Sequence, residues 1–150
     1  MMTARDVAEY LLRLADEDPN NNDITNLKLQ KLVYYVQGFH LAMHDAAIFP
    51  DNIVPWQYGP AVADLYQYYK EHGSGVISPD AEYRYTTEPT AQQQELMGEV
   101  FDIYGQFSAW KLKEMTHEET PWKEAVRAEL PEISLDEMKA YFKQQLVSAS

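Results

Sequence analysis

The stretch Ile24–His44, ITNLKLQKLVYYVQGFHLAMH, sets the fold. Thr25 and Asn26 each carry a side-chain oxygen that can accept a bond from a free N–H of a first helical turn. About five turns follow with no proline and a single glycine, Gly38. At the helical repeat, Leu29, Leu32, Val36, Phe39 and Met43 form one apolar stripe. Leu27, Tyr34, Tyr35, Gly38 and Leu41 widen that stripe well round the cylinder. A helix this apolar is expected at the centre of a domain, with neighbours on more than one side.

Two features complicate a plain core helix. Lys28 and Lys31 project within the apolar arc, and Asn26, Gln30, Val33, Gln37, His40 and His44 form a seam along one face. Solvent faces usually carry Glu and Lys, whereas this seam carries amides and imidazoles. Two readings stay open. One is a solvated face whose lysines snorkel to water. The other is a hydrogen-bonding strip, either buried or facing a partner.

A chain of 150 residues suits one domain spanning 1–150, large enough to bury roughly two thirds of its unfolded surface. Its apolar and aromatic content argues against global disorder. There are no cysteines, which rules out a disulfide scaffold, thiol catalysis and cysteine-ligated metal, and fits a reducing compartment. Residues 1–18 include Asp6, Glu9, Asp16 and Glu17 and lack a long apolar core, unlike a signal peptide. No run approaches a membrane span. The expected localisation is cytoplasmic, away from membranes.

The net charge of −12 opposes direct nucleic-acid binding, which gains from counterion release only when basic side chains neutralise phosphates. Between Asp45 and Asp102 the only Lys or Arg residues are Lys70 and Arg84. Such acidity suits a basic partner.

Along the chain, Thr3 with Asp6 resembles a capping box for a short amphipathic helix whose inner face is Ala4, Val7, Ala8, Leu11 and Leu14. Pro19 and Asn20, Asn21 and Asn22 read as a loop. After the central helix, HDAAIFPDNIVPWQYGP is too apolar for a floppy linker and reads as an ordered loop. Gly59-Pro60 is expected to open a third helix, with proline at its first position. The YRYTT segment alternates and fits either a small β-hairpin near 76–88 or an extended loop. Thr90 with Gln93, Ser108, Thr120-Pro121 and Ser134 with Glu137 mark four further helix starts. The expected fold is mainly α: a compact bundle of six or seven helices around the buried central one.

Motifs for chemistry are sparse. His40 and His44 have zinc-compatible spacing, but the zincin glutamate position holds Leu41 and no third ligand stands out; no metal or other cofactor is expected. His117 and Glu118 could form an acid–base pair, yet the run HEETP reads equally well as helix-linker chemistry. Ser74, Ser78 and Ser108 lack a nucleophile-elbow setting. Gly73-Ser74-Gly75 is too short for a phosphate loop. Tyrosine is abundant, and Tyr58 and Tyr68 fall off the apolar stripes, where a large ring with a polar tip suits an interface.

The blocks TNLKLQKLVYYVQGFHLA (Thr25–Ala42), WQYGP (Trp56–Pro60) and LKEMTHEETPW (Leu112–Trp122) occur in an order that resembles the SocA-like Panacea domain family, which includes phage-associated GepA-type proteins. The resemblance implies a mainly α, non-enzymatic antitoxin that neutralises a cognate protein toxin by direct contact, the toxin being encoded by the adjacent gene. Toxins linked to such proteins modify RNA or block translation. One branch resembles proteolytic adaptors that deliver a toxin to a host ATP-dependent protease. Many members carry an extra domain, and at 150 residues this chain is expected to lack one.

On this reading the expected partner-binding residues are Lys28, Gln30, Lys31, Tyr35, Gln37, His40, Tyr58 and Tyr68. Thr25, Leu32, Trp56, Gly59, Pro60, His117, Pro121 and Trp122 are expected to hold the motif's scaffold. Lys31→Glu should then abolish neutralisation with little loss of thermal stability. A small enzyme using His117 and Glu118 is the expectation from another class.

Overall fold

The computed structural model describes residues 1–20 and 23–149, with side chains to residue 147. Asn21 and Asn22 of the expected loop lie outside the described residues. Helix α1 (Ala4–Glu17) opens on the Thr3–Asp6 capping box, each side chain bonded to the other's backbone N–H. Thr25 caps α2 (Asn26–His44) through the N–H of Lys28, and Asp45 closes it in the left-handed region at φ 55°. Strands β1 (Val54–Trp56) and β2 (Gly59–Ala61) pair antiparallel, Trp56 opposite Gly59. Helix α3 (Ala63–Tyr69) runs into a 3₁₀ turn, and α4 (Ala91–Tyr104), α5 (Ala109–His117), α6 (Thr120–Arg127) and α7 (Leu135–Ala149) complete the described chain. Thr90, Ser108 and Ser134 accept from the backbone at the starts of α4, α5 and α7, as the sequence indicates.

Helix α2 is the axis of the bundle. It packs against α1, α3, α4, α5, α7 and β2. Leu29, Leu32, Val33, Tyr34, Tyr35 and Val36 are fully buried on it. Met43, read from the periodicity as part of the inner stripe, lies on the last turn and is 49% exposed. The closest approach is to α7, where a Cβ on Gly38 would overlap the ring of Phe142. Glycine is required there by proximity rather than by backbone conformation. No helix among the described residues is long and apolar enough to cross a membrane.

Two local expectations change. The two-stranded sheet is at 54–61, not near 76–88, and α3 starts at Ala63 rather than at Gly59-Pro60. Gly59 has φ +109°, which no helix accommodates, and the N–H of Val62 donates to Gln30 Oε1 at 2.9 Å. Residues 76–88 form no hairpin because side chains of α1 take the groups a ladder would use. Asp6 accepts from the Tyr83 hydroxyl (2.6 Å) and from the N–H groups of Thr86 (2.8 Å) and Thr87 (3.3 Å). Glu9 accepts from Tyr69 and from the N–H of Asp80, and Arg13 donates to the Tyr83 carbonyl. At its start the segment touches α2 through one bridge, Val76 with Thr25.

Gly38→Ala should therefore cost about 1–3 kcal/mol, the usual range for overpacking a closed interior. Urea unfolding reads it, and Phe142→Leu in the same chain should recover part of the loss. An unchanged midpoint for Gly38→Ala would mean that α7 does not close on α2 at this point.

Candidate functional site

The polar seam of α2 faces inward. Asn26 Nδ2 donates to the Tyr66 carbonyl (3.0 Å), and Gln30 Nε2 donates to Asn26 Oδ1 (3.0 Å). Gln37 is doubly used, donating to the Phe49 carbonyl (2.9 Å) and accepting from the N–H of Ile48 (2.8 Å). His40 Nδ1 lies 2.6 Å from the Ala46 carbonyl. The seam thus fastens the backbone of the loop, hairpin and helix that run from Ala46 to Tyr66. An irregular segment buried against a helix must find partners for its amides, and these side chains provide them.

The two lysines are interior as well. Lys28 Nζ donates to Asp23 (2.8 Å) and to the Gly105 carbonyl (2.7 Å), tying the start of α2 to the end of α4. Lys31 is 1% exposed and donates to the Leu27 carbonyl one turn back (3.3 Å). Burial, with Lys113 nearby, lowers its pKa to about 7. Lys28, Gln30, Lys31, Tyr35, Gln37 and His40 are all buried, so in this conformation they form the frame and not its outer surface. The expectation that Lys31→Glu spares stability changes, because the carboxylate would be buried with the Leu27 carbonyl, an acceptor, where Nζ now donates.

The three sequence blocks meet around Gly59. A Cβ on that residue would stand 3.0 Å from Lys31 Cε and 3.1 Å from Thr116 Oγ1, one atom from each of the other blocks. Trp122 Nε1 donates to the Trp56 carbonyl (2.9 Å), and the His117 ring stacks on Trp122 at 3.9 Å. Pro60 and Pro121 are buried, and Leu32 is in the core. Gly59 is buried as well, and Thr25, Trp56, His117 and Trp122 are half-buried. Burial holds the His117 pKa below its ordinary value, and its Nε2 is enclosed with no hydrogen-bond partner among the described residues. Glu118 is exposed. His117 and Glu118 both stand on the lining of the cleft that opens between α4, α5 and α7.

Glu119 is the residue that sequence reasoning undervalued. It stands just before α6 and turns its carboxylate inward, where Tyr34 donates to Oε1 (3.0 Å) and Tyr35 to Oε2 (2.7 Å). Burial pushes its pKa up to about 7, against the lowering effect of those two bonds. Burial and the neighbouring carboxylate raise both tyrosines well above their usual range. Tyr104 stacks on Tyr35 at 4.0 Å. Above them opens a cleft of about 580 Å³ between α4, α5 and α7, with Tyr104, Glu114, Glu118, Glu119, Tyr141 and Gln145 among its lining. The signal was present: adjacent tyrosines in a buried helix need acceptors for their hydroxyls.

At the surface, Tyr58 and Tyr68 are exposed, unlike the other six expected contact residues. Tyr58 is at the hairpin tip, and Lys113 Nζ lies 5.6 Å from its ring centre and 4.4 Å from that of Trp110. Trp110, 64% exposed on α5, completes a patch of two aromatics around a cation. Tyr68 lies elsewhere, under the Arg5 guanidinium at 3.9 Å. The rings of His40 and His44 are 4.8 Å apart, but among the described residues no group of three or more His, Cys, Asp or Glu side chains is placed to hold a metal.

A protein-family model described as the antitoxin SocA-like Panacea domain matches residues 29–123, more than half of the chain and all of the three blocks except Thr25–Lys28. Comparison with curated proteins and with solved structures gave no match.

The two buried charges predict opposite pH dependences. Glu119 keeps its proton to about pH 7 when folded and to about 4.5 when unfolded, so its contribution to stability falls as pH rises through that window. Lys31 loses its proton near pH 7 when folded and near 10.5 when unfolded, so its contribution falls as pH drops through that window. The melting temperature of Glu119→Gln minus that of the wild type should grow from about pH 4.5 to 7. For Lys31→Met the same difference should shrink from about pH 7 to 10.5. Profiles parallel to wild type would contradict both assignments.

Proposed function

The chain belongs to the antitoxin SocA-like Panacea domain family, and from that premise we propose that it is the antitoxin of a phage-associated toxin–antitoxin pair. It acts in the cytoplasm by binding its cognate toxin, the product of the adjacent gene, as a protein-to-protein contact without catalysis. The net charge of −12 suits a toxin whose RNA-handling surface is basic.

The observation that carries a contact face is the exposed patch of Tyr58, Trp110 and Lys113. Tryptophan and tyrosine dominate the energetics of protein interfaces, because each buries a large rigid area at low entropic cost. The patch lies within the matched region, on the hairpin that the α2 seam fastens and on α5. Gln30, Gln37 and His40 serve recognition at one remove, by fixing the segment that carries that hairpin, while Lys28, Lys31 and Tyr35 hold the frame behind it. Tyr68 gives a second, separate contact candidate.

Co-expression with the adjacent gene product, followed by affinity purification and growth measurement, tests the reading. A stoichiometric complex is expected, with rescue that persists in cells lacking ATP-dependent proteases. Rescue that requires such a protease would make the chain a delivery adaptor instead. The double variant Tyr58→Ala, Trp110→Ala should lose rescue with its melting temperature within a few degrees of wild type. Lys31→Glu should lose rescue and fold stability together. Full rescue by the double variant would remove this patch from the contact.

A further inference from the structure

Glu119 is a buried carboxylate without a cation. Its relative exposure is 7%, and among the described residues no Lys, Arg or His forms an ion pair with it. An ionised carboxylate offers about four lone-pair positions. The hydroxyls of Tyr34 and Tyr35 use one on each oxygen. The carboxylate is therefore oriented and half satisfied at the floor of an open cleft. A charge in that position is costly unless something pairs with it.

The walls define what that something is. Tyr104 of α4 and Tyr141 of α7 both stand on the lining, one face of the Tyr104 ring being taken by Tyr35, and the exposed Glu114 and Glu118 add negative charge. Lys111 and His117 also lie on the lining, but Lys111 is exposed, where water screens it, and burial lowers the His117 pKa, which favours the neutral ring. Aromatic faces with carboxylates behind them attract cations. A planar, weakly hydrated guanidinium fits better than an ammonium, because it can stack on a ring while its forked N–H groups meet a carboxylate.

We propose that the cleft over Glu119 is a receptor for one arginine side chain supplied by the toxin, with Glu119 as its charge partner and Tyr104 and Tyr141 as its walls. This deepens the antitoxin reading and rests on it for the identity of the donor. The cleft is a second contact, on α5 residues distinct from Trp110 and Lys113. It provides a directional ion pair in a desolvated setting, and such pairs chiefly confer selectivity between partners. A toxin lacking an arginine at the matching point would leave Glu119 buried and unpaired.

The cleft can be tested without the toxin, by NMR titration of the whole chain with the capped tripeptide Gly-Arg-Gly. Its isostere Gly-citrulline-Gly has the same shape and no charge. The arginine peptide should give saturable shifts at the Glu119 carboxyl carbon and the Tyr104 and Tyr141 rings. The citrulline peptide and the Glu119→Gln variant should each weaken binding by about tenfold or more, as expected for losing a charge-assisted bond. Glu118→Gln, an exposed change that spares the fold, should weaken it by about two- to fivefold. Equal binding of the two peptides, absence of saturable shifts, or binding unaffected by either variant would overturn the proposal. If the peptide binds but the neighbouring gene product does not, the cleft stands and the antitoxin reading fails. If the peptide does not bind but rescue persists, the reverse holds.

Discussion

A helix enclosed on every side must pair its polar side chains within the protein. Helix α2 carries Asn26, Lys28, Gln30, Lys31, Gln37 and His40 into the interior, and each finds a backbone or side-chain partner there. Such pairs add little net stability, but a missing partner costs about 1–3 kcal/mol. The asymmetry makes them position-specific. The path of the chain from Ala46 to Tyr66 satisfies the seam, and it delivers the hairpin to α5 and α6. Carbonyls and N–H groups that a sheet or helix would normally absorb are absorbed instead by side chains of the neighbouring helix.

The same device recurs on α1. Asp6 caps its own helix and also holds Thr86, Thr87 and Tyr83, while Glu9 holds Asp80 and Tyr69. The acidic composition is thus partly a structural resource, because some carboxylates accept the amides of long irregular connections. Glu119 differs from these. Asp6 is met by backbone N–H groups, whereas Glu119 has two tyrosine hydroxyls and an opening above it. Its environment raises its pKa to about 7, and the pKa of Asp6 is lowered, with burial outweighed by hydrogen bonds from Tyr83 and the backbone. A carboxylate held near neutrality beside a cleft is a group that a ligand can still change.

The helices were legible in the sequence because their starts and periodicity are local. Thr3, Thr25, Thr90 and Ser108 cap where side-chain chemistry says they should. The seam was legible as a strip of neutral polar groups, but its direction was not. Whether Gln37 meets water, a partner or Phe49 depends on a loop with no periodicity of its own. Gly59-Pro60 misled because proline suits a helix start and an edge strand alike, and only the positive φ of Gly59 decides. The YRYTT alternation misled because carboxylates seventy or more residues upstream outbid a second strand. Trp110 and Glu119 were passed over for related reasons: one faces outward from a helix too short to show a clear stripe, and the other sits in a run that reads as an ordinary linker.

The central claim is that α2 is a fixed interior frame and that recognition happens on the hairpin and α5 that it positions. Hydrogen exchange on the chain, free and bound to its toxin, tests this directly. The account predicts that α2 amides exchange at the rate of global unfolding in both states. New protection on binding should appear at residues 56–59 and along α5. Fast exchange of α2 in the free chain, with protection gained there on binding and none on α5, would contradict it.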